Sequence, residues 1–340
     1  IHWGFPPVIG GVETHLSILC PELVKRGHEV SILTSTAPKM KKEHTYKGVD
    51  VYRNRIMDVK WLKERGFENL RDKIDDVLYD FIEKVKPDVL HAHNMHYISK
   101  YHTFALERIA KEKNIPLILT AHNVMDSGLS MRLLLDVKWD KIIAVSDYVK
   151  RELKGFGVPS KRIITVHHGV DVQRIRKKRP ASLLRKYPIL EGKKIIVHPA
   201  KTSMFKGSDV SIKAMKRVVK KFPDAFLVLC GTGLIVDWDF KKEKDLAYLD
   251  HLIHKMGLQD NILVDSFSIE QMIQLYKLSE FTVYPSTWQE PFGLTMIESM
   301  ACGRPIIVTR SGGMPEAVEH GKNGFVIDIR NVDQLAKYCL

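Results

Sequence analysis

The chain alternates short apolar runs, rich in β-branched residues, with longer segments that mix polar and apolar residues. Each run has the length and composition of a strand that is buried on both faces of a parallel sheet. Strands that alternate with helices predict parallel sheets and an α/β fold. The runs lie at 28–34, 87–93, 116–122, 141–146 and 162–168 in the first half, and at 193–200, 224–231, 261–267, 281–286, 305–310 and 324–328 in the second.

One intervening segment has a clear helical period. Apolar side chains recur in residues 67–85 at steps of three and four, which predicts one long helix with a core-facing stripe. The stripe consists of Phe67, Leu70, Ile74, Val77, Leu78, Phe81, Ile82 and Val85.

The length of the chain indicates two domains. At 340 residues and 44% apolar composition, it exceeds the size of about 250–300 residues at which single cores stop growing. Residues 174–186 carry seven basic residues, a proline and no acidic residue. We therefore predict a basic linker at about 171–192 between domains at 1–170 and 171–340. Ligands of doubly wound sheets bind beyond the carboxyl ends of the strands, so we expect a site in a cleft between the domains.

The net charge of +13 raises the question of a nucleic-acid partner. The basic segment 174–186 has no interleaved aromatic rings, which favours a linker or a contact with a membrane surface or anionic groups over a base-reading surface. We predict no nucleic-acid partner.

The cysteines and the hydropathy bear on location. Four cysteines lie far apart in the sequence, which argues against a zinc site or a disulfide framework and favours a reducing compartment. No apolar run approaches the roughly 20 residues that cross a bilayer. We expect a soluble cytoplasmic protein with, at most, peripheral membrane contact.

Two motifs of the first half place small or polar residues where ligands bind. In "GFPPVIGGVETHL", Gly10 and Gly11 open a helix, where a backbone can approach an anion closely. A simple turn explains the same pattern. The dinucleotide fingerprint G-x-G-x-x-G is absent, which argues against a dehydrogenase.

The segments "HAHN" (91–94) and "TAHN" (120–123) follow two strands. Their histidines do not predict a metal site, because metal ligands must converge in a way that spacing alone does not supply. A neutral imidazole of His91, His93 or His122 can hydrogen-bond a sugar hydroxyl, and ordinary core histidines remain the alternative.

In the second half, Lys201 and Lys206 flank a turn after a strand. Two ammonium groups at one anion would neutralise a diphosphate, although surface lysines are common. The segment "CGTG" (230–233), with Gly231, leaves room for a flat ligand such as a nucleobase or forms a tight turn.

The segment "EPFGLTMIES" (290–299) places two carboxylates around the start of a helix. Pro291 and Gly293 favour a turn, and a helix that begins near Leu294 directs N–H groups at an anion such as phosphate. Glu290 then lies near the group that is attached to the phosphate. Glu298 can accept hydrogen bonds from the hydroxyls of a ribose. A loop acid followed by a solvated helix acid is the alternative.

Together these residues resemble a known family over essentially the whole chain. The matching motifs include "PPVIGGVETHL", "LVKRGHEVSILT", "HAHN", "IIAVSDYVKREL", "VHHGVD", Lys206-Gly207, Glu290 with Glu298, and "MACGRPIIVTRSGGMPEAVEHGKNGFVI". Their order and spacing are similar to those of the retaining family 4 glycosyltransferases. The resemblance implies the GT-B fold, with two Rossmann-like domains that face a cleft.

The resemblance also implies an activity. Such an enzyme transfers a sugar, with retention at the anomeric carbon, from a nucleotide-diphospho-sugar co-substrate to a carbohydrate, lipid-linked or small-molecule acceptor. No tightly bound cofactor and no metal are implied. An epimerase-like activity on a nucleotide sugar, or a weakly catalytic binding module, remains the alternative.

Site residues carry over by position. The resemblance implies that Glu298 holds the donor ribose and that Glu290 contacts the donor sugar. It places the diphosphate between the ammonium groups of Lys201 and Lys206 and the backbone around the helix start, at Phe292, Gly293, Leu294 and Thr295. The implied catalytic set is His122, Glu290 and Lys206, and the implied phosphate and acceptor side consists of Gly10, Gly11, His93 and Asn94.

Three positions depart from the family pattern. Lys201 stands where arginine is usual, which removes a bidentate phosphate contact; His168 replaces a usual asparagine and Ser266 a usual glycine. The resemblance further implies residues before Ile1 and after Leu340, so we expect the chain to be part of a longer protein.

Overall fold

The computed structural model describes residues 1–177, 181–231 and 242–340. The chain divides into two compact units, Ile1–His168 and Gly169–Leu340. Among the described residues, no helix combines the length and the apolar character needed to cross a bilayer.

The first unit contains seven strands and six α-helices. The strands are β1 (Ser31–Thr34), β2 (Glu43–Tyr46), β3 (Val49–Arg53), β4 (Leu90–His93), β5 (Leu117–Ala121), β6 (Lys141–Ala144) and β7 (Ile163–Thr165). The helices are α1 (Gly11–Lys25), α2 (Val59–Arg65), α3 (Arg71–Val85), α4 (Lys100–Glu112), α5 (Gly128–Leu135) and α6 (Asp147–Gly155).

The strands of this unit form two sheets. One is four-stranded, in the order β4-β5-β6-β7, and is parallel throughout. The other has the order β1-β3-β2, with β2 antiparallel to β3. The five strands predicted for this half are present, whereas β2 and β3 were not predicted.

The predicted helix over 67–85 is present but starts later. Helix α3 begins at Arg71, after a short 3₁₀ turn at Glu68–Leu70. Its apolar stripe is buried at Ile74, Leu78, Phe81 and Ile82, so the three- and four-residue period marks the core-facing side.

In its described residues, the second unit contains six strands and seven α-helices. The strands are β8 (Lys194–His198), β9 (Ala225–Gly231), β10 (Ile262–Ser266), β11 (Phe281–Tyr284), β12 (Ile306–Thr309) and β13 (Gly324–Ile327). The helices are α7 (Val172–Lys177), α8 (Ala181–Lys186), α9 (Ser208–Lys221), α10 (Lys242–Met256), α11 (Ile269–Leu278), α12 (Leu294–Ala301) and α13 (Val332–Cys339).

These strands form one six-stranded sheet in the order β10-β9-β8-β11-β12-β13, with all neighbours parallel. The chain builds outward from β8 to β10 on one side and then from β11 to β13 on the other. The sheet therefore has its topological switch point between β8 and β11, where ligands of such sheets bind. The prediction of a doubly wound parallel α/β sheet is confirmed for this unit.

The segment predicted as a basic linker is largely helical where the structure describes it. Residues 178–180 lie outside the described residues, but α7 and α8 flank them. Leu183 and Leu190 are buried in a cluster with Phe226 and Tyr276 of the second unit, so this segment packs onto that unit's core.

Gly207 shows how closely the loops of the second unit pack at the switch point. It caps α9 with a φ of +77°, a conformation that residues with a side chain rarely adopt. A Cβ at this position would also overlap the carbonyl oxygen of Pro285, in the loop after β11. The loop after β8 and the loop after β11 can therefore touch only because residue 207 is glycine.

We predict that Gly207→Ala destabilises the protein more than Gly257→Ala. Both positions have positive φ, +77° and +64°, but nothing lies within 4 Å of a Cβ at Gly257. The left-handed conformation costs about 1–2 kcal/mol in each variant, and the overlap with Pro285 adds about 1–3 kcal/mol in Gly207→Ala alone. Urea unfolding followed by circular dichroism measures both losses, and equal losses would contradict the close approach.

Candidate functional site

Three loops meet at the switch point of the second unit. They follow β8, β11 and β12 and span residues 199–207, 285–293 and 310–313. Because these strands are parallel neighbours, the loops leave the same edge of the sheet. The predicted residues Lys201, Lys206, Glu290 and Gly293 lie on the first two of these loops.

Hydrogen bonds tie the three loops together. The N–H of Thr287 donates to the carbonyl of Phe205 over 2.9 Å, and the N–H of Gly313 donates to the carbonyl of Glu290 over 2.8 Å. The hydroxyl of Thr309 donates to the carbonyl of Ser286 over 2.7 Å. The backbone on both sides of Glu290 is therefore held in place.

Lys206 and Glu290 form an ion pair at the centre of these loops. Lys206 Nζ lies 2.6 Å from Glu290 Oε1, and the Ser286 hydroxyl donates to the same oxygen over 2.8 Å. Glu290 is only 5% exposed. A carboxylate buried to this extent needs such partners, because an unpaired buried charge is very unfavourable.

The ring of Tyr284 completes this network, with its centroid 5.9 Å from Lys206 Nζ. Burial alone would lower the pKa of the Lys206 ammonium, but its attraction to Tyr284 and Glu290 outweighs burial and raises the pKa. Burial and the nearby Glu290 raise the pKa of the Tyr284 phenol. Lys206 is thus a cation and Tyr284 a neutral phenol at neutral pH.

A second glycine brings the loop after β12 against Glu290. Gly312 has a φ of +53°, and a Cβ there would overlap the carbonyl oxygen of Glu290. Its N–H donates to the side-chain oxygen of Gln289 over 2.6 Å. This hydrogen bond connects the loop after β12 to the loop 285–293.

Helix α12 begins at Leu294, as the sequence predicts, with Gly293 as its N-cap at a φ of +93°. Phe292 is buried, while Leu294 and Thr295 in the first turn are partly exposed. The first N–H groups of a helix lack intrahelical acceptors and carry the positive end of the dipole. The start of α12 therefore offers an anion the donors that the sequence predicts.

Glu298 lies in α12 beside α11. The hydroxyl of Tyr276 lies 3.4 Å from Glu298 Oε2. Burial raises the pKa of Glu298 to about 7, although the Tyr276 hydrogen bond and the charge of Arg174 oppose the shift. Glu298 is thus separate from the Lys206–Glu290 pair and titrates near neutrality.

The other predicted donor residues of this unit lie at strand ends. Lys201 is partly exposed on the loop that also carries Lys206. Gly231 ends β9, where a Cβ would lie 3.0 Å from the hydroxyl oxygen of Ser266. The rest of the "CGTG" motif, Thr232 and Gly233, lies outside the described residues.

In the first unit, the predicted histidines of two neighbouring strands meet. His93 ends β4 and His122 follows β5, and the two strands are paired in register. His93 Nδ1 lies 2.9 Å from His122 Nε2. The side-chain oxygen of Asn94 accepts the N–H of His122 over 2.9 Å, so Asn94 positions the histidine backbone.

This histidine pair extends into a chain of four imidazoles. His122 Nδ1 lies 3.4 Å from His168 Nε2, and His168 Nδ1 lies 3.0 Å from His15 Nδ1. Burial, together with the neighbouring imidazoles, lowers the pKa of His93 and His122 well below the usual value. Burial also lowers the pKa of His15 to about 4 and that of His168 to about 3.

The other predicted residues of the first unit lie around this chain. His91 contacts Thr120 instead, with Nε2 and Oγ1 2.7 Å apart. Gly10 caps α1, and a Cβ there would overlap the carboxylate of Glu13, whereas Gly11 has open space around it. Glu13 therefore occupies the space beside Gly10, at the start of α1.

Sequence reasoning missed several residues of both clusters. Tyr284 and Ser286 stand at the end of β11 in "VYPS", and the rule that ligands bind at strand ends would have included them. His168 follows a strand too, so the same rule would have included it, whereas His15 carries no such signal because it lies within a helix.

Two protein-family models match the chain. Residues 9–174 match the model described as Glycosyltransferase Family 4, and residues 182–339 match the model described as Glycosyl transferases group 1. The two matches follow each other along nearly the whole chain.

Curated relatives agree with these models. The chain is 26% identical to an uncharacterized glycosyltransferase of Methanocaldococcus jannaschii, across 99% of this chain and 86% of the relative. It is 27% identical to the N-acetyl-alpha-D-glucosaminyl L-malate synthase of Bacillus anthracis, across 98% of this chain and 84% of the relative.

Solved structures share the fold. The Anabaena protein HepE, crystallised with UDP and glucose, matches with a TM-score of 0.74 at 20% identity, over 97% of this chain and 85% of that one. Sucrose-phosphate synthase of Thermosynechococcus elongatus matches with a TM-score of 0.77 at 18% identity, over 97% and 83%. The GT-B fold class predicted from the sequence is confirmed.

The motifs in the sequence agree with the order of the two family matches, with the glycosyltransferases among the relatives and with the shared fold. The chain belongs to the group 1 glycosyltransferases, with a family 4 region in its N-terminal half.

Proposed function

We propose that this glycosyltransferase transfers a sugar from a nucleotide-diphospho-sugar to an acceptor, with retention at the anomeric carbon and without a metal ion in the transfer step. The observation that carries the proposal is the buried Lys206–Glu290 pair at the switch point of the second unit's sheet. The solved relative with UDP and glucose supports a nucleotide-sugar donor.

The diphosphate of the donor would bind between Lys206 and the start of α12. The Lys206 side chain is 28% exposed, so its ammonium can reach a ligand while it stays next to Glu290. As the bond to the sugar breaks, negative charge grows on the leaving diphosphate. An ammonium and helix N–H groups already aimed at that charge lower the barrier. Lys201, on the same loop, would add a second positive charge.

Glu290 has two roles in this proposal. Without a donor it neutralises Lys206, and with a donor its second oxygen would accept hydrogen bonds from sugar hydroxyls. The hydrogen bonds from Ser286 and the fixed backbone of the loop hold that carboxylate in one place. A positioned carboxylate orients the sugar at little entropic cost during the reaction.

Glu298 would hold the donor ribose. The two oxygens of a carboxylate offer about four lone-pair sites, so Glu298 can accept from two ribose hydroxyls as well as from Tyr276. Tyr276 fixes one Glu298 oxygen and leaves the other for the ligand. Gly231, which has no side chain to block a flat ring, would lie next to the nucleobase.

The first unit would bind the acceptor and the transferred sugar. His122 would hydrogen-bond the transferred sugar, and Gly10, Gly11, His93 and Asn94 would form the phosphate and acceptor side. We assign the acceptor only to the classes of carbohydrate, lipid-linked or small-molecule hydroxyl compounds. The four cysteines are free thiols, which suits a reducing compartment such as the cytoplasm.

A panel of nucleotides tests the donor class. Uridine, guanosine and adenosine diphosphates and their sugars are added separately, and thermal unfolding is recorded. A ligand at 100 times its dissociation constant adds about 2.7 kcal/mol of stability. NMR of the product then distinguishes retention from inversion, and an epimerised donor sugar without transfer would show the alternative activity. Stabilisation by none of the nucleotides would overturn the proposal.

We predict that Lys206→Ala lowers kcat about 10²–10³-fold, because it removes a positive group aimed at the leaving diphosphate. The matched control is Lys213→Ala. Lys213 also pairs with a carboxylate at 2.6 Å, that of Asp209, but it lies on α9. Its removal is expected to leave kcat per folded molecule within about twofold, since Lys213 lies outside the loops that we place at the diphosphate.

The rates in these variants are compared per folded molecule, because Lys206→Ala leaves Glu290 buried without its cation and destabilises the fold. The variant Lys206→Ala/Glu290→Gln removes that unpaired charge. Full activity in this double variant and in Lys206→Ala would refute the role of Lys206.

We predict that donor affinity falls as pH falls from 8 to 6. With a pKa of about 7, Glu298 is about 90% ionised at pH 8 and about 10% ionised at pH 6, so affinity drops about tenfold. The ligand is a nucleotide sugar, because a terminal phosphate would itself titrate near pH 6. Isothermal titration calorimetry gives the affinity.

The control for the pH profile is Glu298→Gln, which keeps an acceptor for the Tyr276 hydroxyl but cannot ionise. Its affinity is expected to be weaker at pH 8 and to lose the tenfold dependence. The same slope in both proteins would show that another group titrates and that Glu298 does not hold the ligand.

A further inference from the structure

Three histidines of the first unit converge, and the proposed function uses two of them, His93 and His122, only as hydrogen-bonding side chains. His15, His93 and His122 each offer a ring nitrogen, and these nitrogens lie within 4.8 Å of one another. They come from α1, the end of β4 and the loop after β5. Three imidazoles from separate elements whose nitrogens lie this close together can bind one metal ion.

The spacing suits a transition metal after a small adjustment. Zinc binds imidazole nitrogen at about 2.0–2.1 Å, so tetrahedral ligand atoms lie about 3.4 Å apart. His93 Nδ1 and His122 Nε2 are now 2.9 Å apart and share a hydrogen bond. An ion between the rings would replace that hydrogen bond and separate the two nitrogens slightly, and the proton of the hydrogen bond would move to the other nitrogen of its ring.

The burial of the cluster also suits a metal. His93 is 3% and His122 is 6% exposed, so an ion between these rings would be largely shielded from bulk water. Imidazole ligates a metal through a ring nitrogen that carries no proton.

The surrounding residues hold the three rings in place. His168 contacts both His122 Nδ1 and His15 Nδ1, at 3.4 Å and 3.0 Å. The side chain of Asn94 accepts the backbone N–H of His122, and His2 Nδ1 lies 3.1 Å from the carbonyl oxygen of His93. Such outer contacts orient ligand rings in metal sites.

We propose that His15, His93 and His122 form a binding site for a divalent transition-metal ion of the zinc type, with water as the fourth ligand. Three imidazoles with no carboxylate among them suit Zn²⁺, Co²⁺ or Ni²⁺, whereas Mg²⁺ and Ca²⁺ require oxygen ligands. The sequence does not predict this site, because spacing along the chain does not show that metal ligands converge. The site goes beyond the proposed function, which assigns no metal ion to these side chains and does not use His15.

An ion at this site would occupy a nitrogen of His122, which we also propose as a contact of the transferred sugar. Ion and sugar would therefore compete for this ring. The test is performed without donor, so its result does not depend on the proposed transfer reaction.

The test is a titration of the purified chain, freed of metal by a chelator, with Co²⁺. The proposal predicts one Co²⁺ per chain and the intense visible absorption of a four-coordinate nitrogen site, which Zn²⁺ displaces. In His15→Gln/His93→Gln the affinity for Co²⁺ is expected to fall by more than about 10–100-fold, the loss typical when a residue that only contacts a ligand is removed. The matched control is His28→Gln, which changes an exposed histidine of the same unit and keeps full binding.

Circular dichroism and the unfolding temperature show whether each variant is folded. His15→Gln alone serves if the double variant does not fold, because His15 is only partly buried. A weak six-coordinate Co²⁺ spectrum, or unchanged binding in the variants, would overturn the site and leave the four imidazoles as a hydrogen-bonded chain only.

A second measurement uses the unaltered protein. Crystals soaked in Zn²⁺ are expected to show an anomalous-scattering peak about 2.0–2.1 Å from one nitrogen of each of the three rings. A peak only at exposed residues such as His28, with none between these rings, would contradict the proposal.

Discussion

The second unit depends on a positive charge that is kept beside a buried carboxylate at the switch point of its sheet. Lys206 and Glu290 lie 84 positions apart in the sequence, yet their charged atoms are 2.6 Å apart. Neither charge is stable there alone, because the loops exclude much of the water around Glu290. The pair therefore requires the loops after β8 and β11 to be in contact, and that contact in turn sets the shape of the site.

The order of the strands explains why these loops meet. The chain enters the sheet at β8 and returns to its other side at β11, so the carboxyl ends of two central strands lie next to each other. Glycine at Gly207 and Gly312 lets backbone pack against backbone around Glu290. Serine hydroxyls from Ser286 and Ser311 then bond to Glu290, at its carboxylate and at its N–H. A rigid carboxylate beside a partly exposed ammonium is the result.

The sequence predicts the buried strands well because a strand covered on both faces is a continuous apolar run. It misses β2, "EHTY", whose residues are exposed or half-exposed, since an edge strand carries no such run. The rule that ligands bind at strand ends identifies Lys206 and Glu290, but it does not predict that they contact each other. It cannot find His15, because nothing along the chain relates a helix residue to the ends of β4 and β5.

The pKa of Glu298 and the neutrality of the histidine chain also lie beyond the sequence. Both follow mainly from burial in the folded protein: the hydrogen bond from Tyr276 opposes the pKa shift of Glu298, and the neighbouring His168 adds to that of His122. The identity of each residue is visible in the sequence, but its protonation depends on what surrounds it after folding.

We propose that Lys206 binds the diphosphate of a sugar donor while it stays next to Glu290. A crystal structure with a bound nucleotide sugar tests it most directly. A diphosphate oxygen is expected about 2.7–3.2 Å from Lys206 Nζ, with the first turn of α12 on its other side. A nucleotide sugar bound elsewhere, with Lys206 still paired only to Glu290, would contradict it.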